Sequence, residues 1–194
     1  MFLNNGSLVE TVLAKFPEKK KIPDQGDDIF SNWNFQDFQD SGYLNFRADR
    51  ADLFALSIMV ENYASKHKTP LLASFETDNR WKFVEDRYVK LMKKLPRVWV
   101  IGNFNNPHLA QNLPETAQVI SCVGTEITNV WAVVTRGPDG PIGLIAEEIG
   151  IKMFRGFFTT VPEIAGYAVN RMAVLLATEF DFSKKEYDFA KGGY

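Results

Sequence analysis

The stretch RVWVIGNF, residues 97–104, is apolar on both of its faces. Successive side chains of a strand point to opposite sides of its sheet. A segment of this kind therefore belongs in the middle of a sheet that is covered on both sides. Its flanks supply the cover. From Asn79 to Leu95, the residues Trp81, Val84, Tyr88, Leu91 and Leu95 recur at steps of three and four, which gives a helix one apolar face. Asp78 stands where a cap belongs, Asp86 and Lys90 have i,i+4 spacing, and Pro96 ends the segment. Upstream, KTPLLASFET (68–77) reads as a buried strand entered through Pro70. Before that, Arg50 to Lys66 reads as a helix capped by Asp49, with Leu53, Leu56, Val60 and Tyr63 as its stripe. Helix, strand, helix and strand in this order set the class as α/β.

The second half is richer in strands. AQVISCV (117–123), NVWAVVTR (129–136), IGLIAEEI (142–149) and KMFRGFFTT (152–160) all have strand character, and NNPHLAQNLPE (105–115) reads as a loop. GPDGP at 137–141 has turn chemistry, so 129–149 is expected to be an antiparallel hairpin. Thr160 and Glu163 have capping-box spacing, and Pro162 falls in the first turn of a last helix that runs to about Glu179. At the front, Ser7 to Phe16 reads as a short amphipathic helix, capped by Ser7 with Glu10 three residues on and stopped by Pro17. Residues 17–45 show no periodicity, yet aromatics run through them and beyond: Phe30, Trp33, Phe35, Phe38, Tyr43 and Phe46. A disordered linker is poor in aromatics, so this arm is expected to pack on the domain or on a partner. The expected architecture is a central mixed sheet of five to six strands flanked by α-helices. It divides into a helix and aromatic arm (1–47), a domain (48–180) and a tail (181–194) frayed at its end.

Charge and motif content exclude several functions. The formal net charge is −2, and the basic runs are only Lys19 to Lys21 and Lys93-Lys94, so no nucleic-acid partner is implied. One cysteine, Cys122, permits no disulfide framework and fits a reducing cytoplasm. No window approaches the ~18 apolar residues of a membrane span, and no secretory leader pattern opens the chain, so a cytoplasmic protein is expected. Phosphate-loop, dinucleotide and C-x-x-C motifs are absent. His67 and His108 lack zinc-ligand spacing, so no metal is assigned. A Cys122–His108 pair is conceivable, but Cys122 lies in an apolar strand and reads as a small hydrophobe. Glu147 and Glu148 are adjacent on a strand and point apart; Glu126 sits between strands, where a turn contact is its ordinary role. No catalytic residue and no cofactor follow.

The aromatics on predicted elements are core by default. Where some of them line a pocket, the candidates are Phe75, Trp81, Tyr88, Trp131 and Phe157 as enclosing rings, with Arg155 to pair an anion. In the arm, Trp33, Phe35, Phe38 and Tyr43 are the candidate anchors for a protein partner.

The order of segments is itself informative. A helix opens RADLFALSIMVENYASKHKTPLLASFE; RYVKLMKKLPRVWVIG follows, then a strand with VWAVV, and finally FRGFFTTVPEIAGYAVNRM. Across about residues 48–178 this resembles the DICT domain, a sensory domain of diguanylate cyclases and two-component proteins, notably cyanobacterial ones. The aromatic pair, Thr and Pro-Glu before the last helix are its strongest part; Val161 departs from the polar residue expected there. The resemblance implies a sensory module in light or redox signalling, with a histidine kinase or a GAF-containing protein as partner. It supplies no ligand and no catalytic residue. No kinase or cyclase module accompanies the segment, so a stand-alone module is expected, working through a small molecule, a protein partner or a second copy. A ligand-free adaptor using the aromatic arm is the alternative, and an enzyme of unrecognised type the third.

Overall fold

The computed structural model describes residues 6–104 and 113–182, with the backbone alone at 76–79. The expected Asp78 cap, His108 and most of the 105–115 loop and the tail lie outside these described parts. The core is one mixed sheet of eight strands with helices on both faces. In chain order the elements are α1 (Leu8–Lys15), α2 (Pro17–Lys20), β1 (Asp24–Gln25), α3 (Asp27–Asn32), α4 (Phe35–Ser41), β2 (Tyr43–Asp49), α5 (Arg50–His67), β3 (Leu71–Thr77) and α6 (Asp78–Lys94). They continue as β4 (Val98–Asn103), β5 (Ala117–Ser121), a 3₁₀ turn (Glu126–Asn129), β6 (Val130–Arg136), β7 (Pro141–Gly150), β8 (Met153–Thr159) and α7 (Pro162–Leu175). The strands lie in the order β1-β2-β8-β7-β6-β3-β4-β5. β3, β4 and β5 are mutually parallel, β1 joins β2 in parallel, and every pairing from β2 through β8, β7 and β6 to β3 is antiparallel.

Strand alternation divides the core in two. Leu44, Phe46, Ala73, Val100, Trp131, Val133, Phe154 and Phe158 face a layer made by α3 to α6. Tyr43, Leu72, Trp99, Ile101, Ala132, Val134, Ile145 and Phe157 face α1 and α7. β4, apolar on both sides, contributes to each cluster, as its sequence predicts. Gly156 permits the centre of this packing. A Cβ there would lie 2.2 Å from the Ile145 carbonyl oxygen and 2.6 Å from the Ala146 Cβ, so no larger residue fits between β7 and its neighbour.

Several expectations are corrected. The sheet has eight strands rather than five or six, because β1 and β2 come from the stretch read mostly as connector. In β2, Leu44, Phe46 and Ala48 alternate with Asn45 and Arg47, and the polar pair hides the period. Asn45 is buried because its polar atoms are used: it accepts from the Tyr43 hydroxyl at 2.6 Å and donates to the carbonyls of Lys19 and Ile22 at 2.7 and 2.9 Å. The stretch read as connector also forms three helices, α2, α3 and α4. Asn34 and Asp37 make a reciprocal capping box at the start of α4.

The predicted cap of the last helix shifts as well. Val161, not Thr160, is the N-cap of α7, and no side chain caps it. The Thr160 backbone N–H donates to the Gly42 carbonyl at 2.8 Å and its hydroxyl approaches the same oxygen at 3.3 Å, so Thr160 is spent on fastening β8 to the end of α4. α7 stops at Leu175, short of Glu179. On α6, Asp86 and Lys90 form no ion pair. Ser7 and Asp49 cap α1 and α5 as their positions predict, accepting from the N–H groups of Glu10 and Asp52.

Candidate functional site

α5 follows β2 directly and α6 follows β3 directly. β2 and β3 run the same way with three strands between them, so both helices begin at one end of the sheet, set apart. Between them lies a cleft of about 650 Å³, inside the roughly 300–1,000 Å³ range of small-molecule sites. The β7–β8 hairpin turn, which reaches the same end, closes its third side with Ile151, Lys152 and Met153.

The walls are apolar. Phe75 and Trp131 rise from the sheet, Phe54 from α5 and Val84 from α6. At the mouth, Phe83 is 90% exposed and Ile151 92% exposed, with Met153 beside them. Large hydrophobes this bare, gathered round one opening, form an exposed apolar patch rather than scattered surface residues.

The floor is polar and satisfied. Glu61, 2% exposed, accepts from Arg87 Nε at 2.8 Å, Arg87 Nη2 at 3.2 Å and the Tyr88 hydroxyl at 2.7 Å. Burial pushes the Glu61 carboxyl up, against the pull of Arg87 and Tyr88. Tyr88 is pushed well above the usual phenol range by its own burial and by Glu61. Beside this clamp, the Trp131 indole N–H donates to Ser57 Oγ at 3.0 Å, and Ser57 donates to the Leu53 carbonyl at 2.7 Å. The Arg80 guanidinium lies 5.7 Å from the Trp131 ring centroid and that of Arg87 lies 4.8 Å from Phe54, distances of cation–π contact.

The lining holds four cations, Arg50, Arg80, Arg87 and Lys152, against two carboxylates, Asp49 and Glu61. Glu61 is occupied by Arg87, and one oxygen of Asp49 by the α5 cap. Arg50 is the first residue of α5, where the helix dipole disfavours a cation. Its Nε is buried without a hydrogen-bond partner, and among the described residues its guanidinium enters no ion pair.

On the opposite face of the sheet, α1 is anchored by carboxylates. Glu147 accepts from the Leu8 N–H at 2.5 Å and from the Ser7 hydroxyl, and Glu126 accepts from the Gly6 N–H at 3.0 Å. Negative groups at a helix N-terminus are favoured by the dipole and by its unsatisfied N–H groups. Burial pushes the Glu147 carboxyl up despite these bonds. Arg155 bridges Glu10 at 2.8 Å and Asp24 at 3.2 Å.

The six residues expected at a pocket are thus divided. Phe75 and Trp131 line the cleft. Trp81 and Tyr88 lie in the core cluster on that side of the sheet, 6.0 Å apart by ring centroids, and Tyr88 stands behind the cleft, packed edge-on against Phe75 at 4.8 Å and bonded to Glu61. Arg155 and Phe157 are on the other face, because alternation on β8 turns them away from Phe154 and Phe158. Phe157 is fully buried and stacks on Tyr43, and Arg155 already has two carboxylates.

The arm residues are built into the domain. Phe38 is fully buried and Tyr43 nearly so. Trp33 packs edge-on against Phe38 at 5.2 Å, and Phe35 against Tyr63 at 5.3 Å. Cys122 is buried, and burial pushes its thiol up to about 11, which leaves it protonated and a poor nucleophile at neutral pH. Among the described residues no cluster of His, Cys, Asp and Glu has the arrangement of a metal site, and no helix is long and apolar enough to cross a membrane.

Sequence reasoning missed Arg50, Phe54, Ser57, Glu61, Phe83, Arg87 and Lys152. One signal was available: Ser57 and Glu61 are four apart on the apolar stripe of α5, and a buried Glu requires a cation on the neighbouring helix.

No family model, no curated protein and no solved structure gives a significant match to the chain. The likeness to DICT domains rests on the sequence motifs and the order in which they follow one another.

Proposed function

We propose that the chain is a sensory module that binds a small, largely apolar molecule in the cleft between α5 and α6 and relays its presence to α1. The observation that carries this is the cleft itself: a cavity of small-molecule size with apolar walls, a satisfied polar floor and bare hydrophobes at its mouth. The relay is supported by the β7–β8 hairpin. Its tip supplies Ile151, Lys152 and Met153 to the cleft, while Glu147 and Arg155, a few residues away on the two strands, hold α1 on the opposite face. A ligand with different affinity for two positions of that tip shifts the equilibrium between them. The anchorage of α1 follows, as an input–output device of the DICT type requires.

Native mass spectrometry on protein purified gently from its host tests this. The account predicts a discrete increment above the 22.0 kDa of the chain. That increment disappears in Ala51→Trp, which blocks the mouth from an exposed position. A bare mass in both proteins would count against a small-molecule sensor.

One observation favours a second reading, a protein adaptor. Phe83 and Ile151 are exposed to an extent that suits docking. Such an adaptor would use the mouth of the cleft rather than the arm, whose aromatics are engaged internally. A partner captured by the wild type and lost in Phe83→Ser, with no small-molecule increment, would establish it.

A further inference from the structure

We infer that the ligand is an aromatic organic anion: a planar apolar body carrying one carboxylate, sulfonate or phosphate group read by Arg50 and Lys152. This rests on the cleft being a small-molecule site and adds the chemistry of its occupant. The charge of the cleft is the first support. In a chain of net charge −2, this lining carries four cations and two carboxylates, and the buried one, Glu61, is neutralised by Arg87. Beyond that pair the lining sets Arg50, Arg80 and Lys152 against Asp49, one oxygen of which is used by the α5 cap.

The second support is the state of Arg50. A guanidinium is a planar array of five donors suited to carboxylate or phosphate. Its Nε is withdrawn from solvent with no acceptor among the described residues, at a helix position where a cation is disfavoured. A local rule broken without a structural return is what a functional site looks like. Lys152 has a related peculiarity: its φ of 59° is left-handed, an uncommon conformation for a residue with a side chain, imposed by the tight turn that brings it to the cleft. Its ammonium forms no ion pair among the described residues.

The third support concerns the body of the ligand. Three of the four walls are rings, Phe54, Phe75 and Trp131, and both Arg80 and Arg87 already lie against ring faces. Flat surfaces at fixed separation accept a flat guest by offset or edge contacts. The opposite face of the sheet is the contrast: its cavity sets Glu10, Glu126, Glu147 and Glu148 against one cation, Arg155, which is already paired with Glu10.

The test compares two dyes with one body. Anilinonaphthalene sulfonate and the neutral phenylnaphthylamine differ only by the sulfonate. The charged dye is expected to bind at least about tenfold more tightly, the return of one charge-assisted contact. Arg50→Gln with Lys152→Gln should remove that advantage and leave the neutral dye unchanged. Equal binding of both dyes to the wild type overturns the anion assignment and leaves the cleft as an apolar site. Laurate displacing the charged dye more effectively than naphthoate overturns the aromatic body. If Ala51→Trp changes the binding of neither dye, the small-molecule reading of the cleft fails with it.

Discussion

The two faces of this sheet treat charge in opposite ways. On the α1 side the chain supplies both partners: Glu147 meets the N-terminus of α1, Glu126 meets Gly6, and Arg155 spans Glu10 and Asp24. On the α5–α6 side the chain completes the floor, where Glu61 is held by Arg87 and Tyr88, and stops there. Above that floor the side-chain charges of Arg50 and Lys152 enter no ion pair among the described residues, and Phe83 and Ile151 stand in solvent. A fold optimised only for stability would treat both faces alike. In the function proposed above, the open set receives the ligand and the closed set is what its arrival releases.

The comparison can be broken most severely at the floor. Glu61→Ala leaves the Tyr88 hydroxyl buried without an acceptor and the half-buried Arg87 without its carboxylate. The expected loss is about 3–5 kcal/mol of unfolding free energy, read from urea midpoints. A loss below about 1 kcal/mol would mean that the floor is not a structural clamp.

On the other face Glu147→Ala should cost less, about 1–3 kcal/mol, because it strips acceptors from one helix end. Its signature is local. Amide exchange should quicken at residues 8–13 while α5 and α6 keep wild-type protection.

The same carboxylate gives a pH dependence of defined sign. Its pKa is raised above 4.5 in the folded protein, so the folded state holds that proton more tightly than the unfolded chain. The stability this contributes is present below the unfolded pKa and is lost as pH rises through the raised value. Glu147→Gln abolishes the titration. Urea midpoints of wild type relative to that variant should therefore fall as pH rises from about 4 to 7; a rising difference would reverse the assignment.

The smallest effect is the most telling. Arg50→Gln removes a cation from a helix N-terminus and breaks no hydrogen bond or ion pair among the described residues. Thermal unfolding should change by no more than about 0.5 kcal/mol, in the stabilising direction. A marked loss would show that Arg50 serves the fold instead of a ligand.

How much of this was legible in the sequence depends on where the determining contacts lie. α5, α6, β3, β4 and the 129–149 hairpin were legible because each is fixed by its own period and its own punctuation. β2 was not, since its Asn45 is buried only by virtue of carbonyls at Lys19 and Ile22, more than twenty residues away. The cap at Thr160 failed for a similar reason: a residue with the right spacing was claimed by Gly42, which leads into the neighbouring strand β2 and is distant only in sequence. At the site, Phe75 and Trp131 could be named as aromatic wall, but which face each residue joins depends on strand order. That order separates Arg155 and Phe157 from the cleft and unites Glu61 with Arg87 across 26 positions. The masking of Ser57 and Glu61 within an otherwise apolar stripe hid the floor.

The most direct test of the account is hydrogen exchange along the chain with and without saturating anilinonaphthalene sulfonate. The account predicts added protection at residues 50–61 and 80–87, a changed exchange rate at 8–13, and none at 162–175. The last segment, α7, packs on the same face as α1, but its start lies beside Gly140 and Pro141, at the opposite end of β7 from the hairpin tip. Protection confined to the cleft, with α1 exchanging as before, would contradict the relay; protection absent from the cleft would contradict the site.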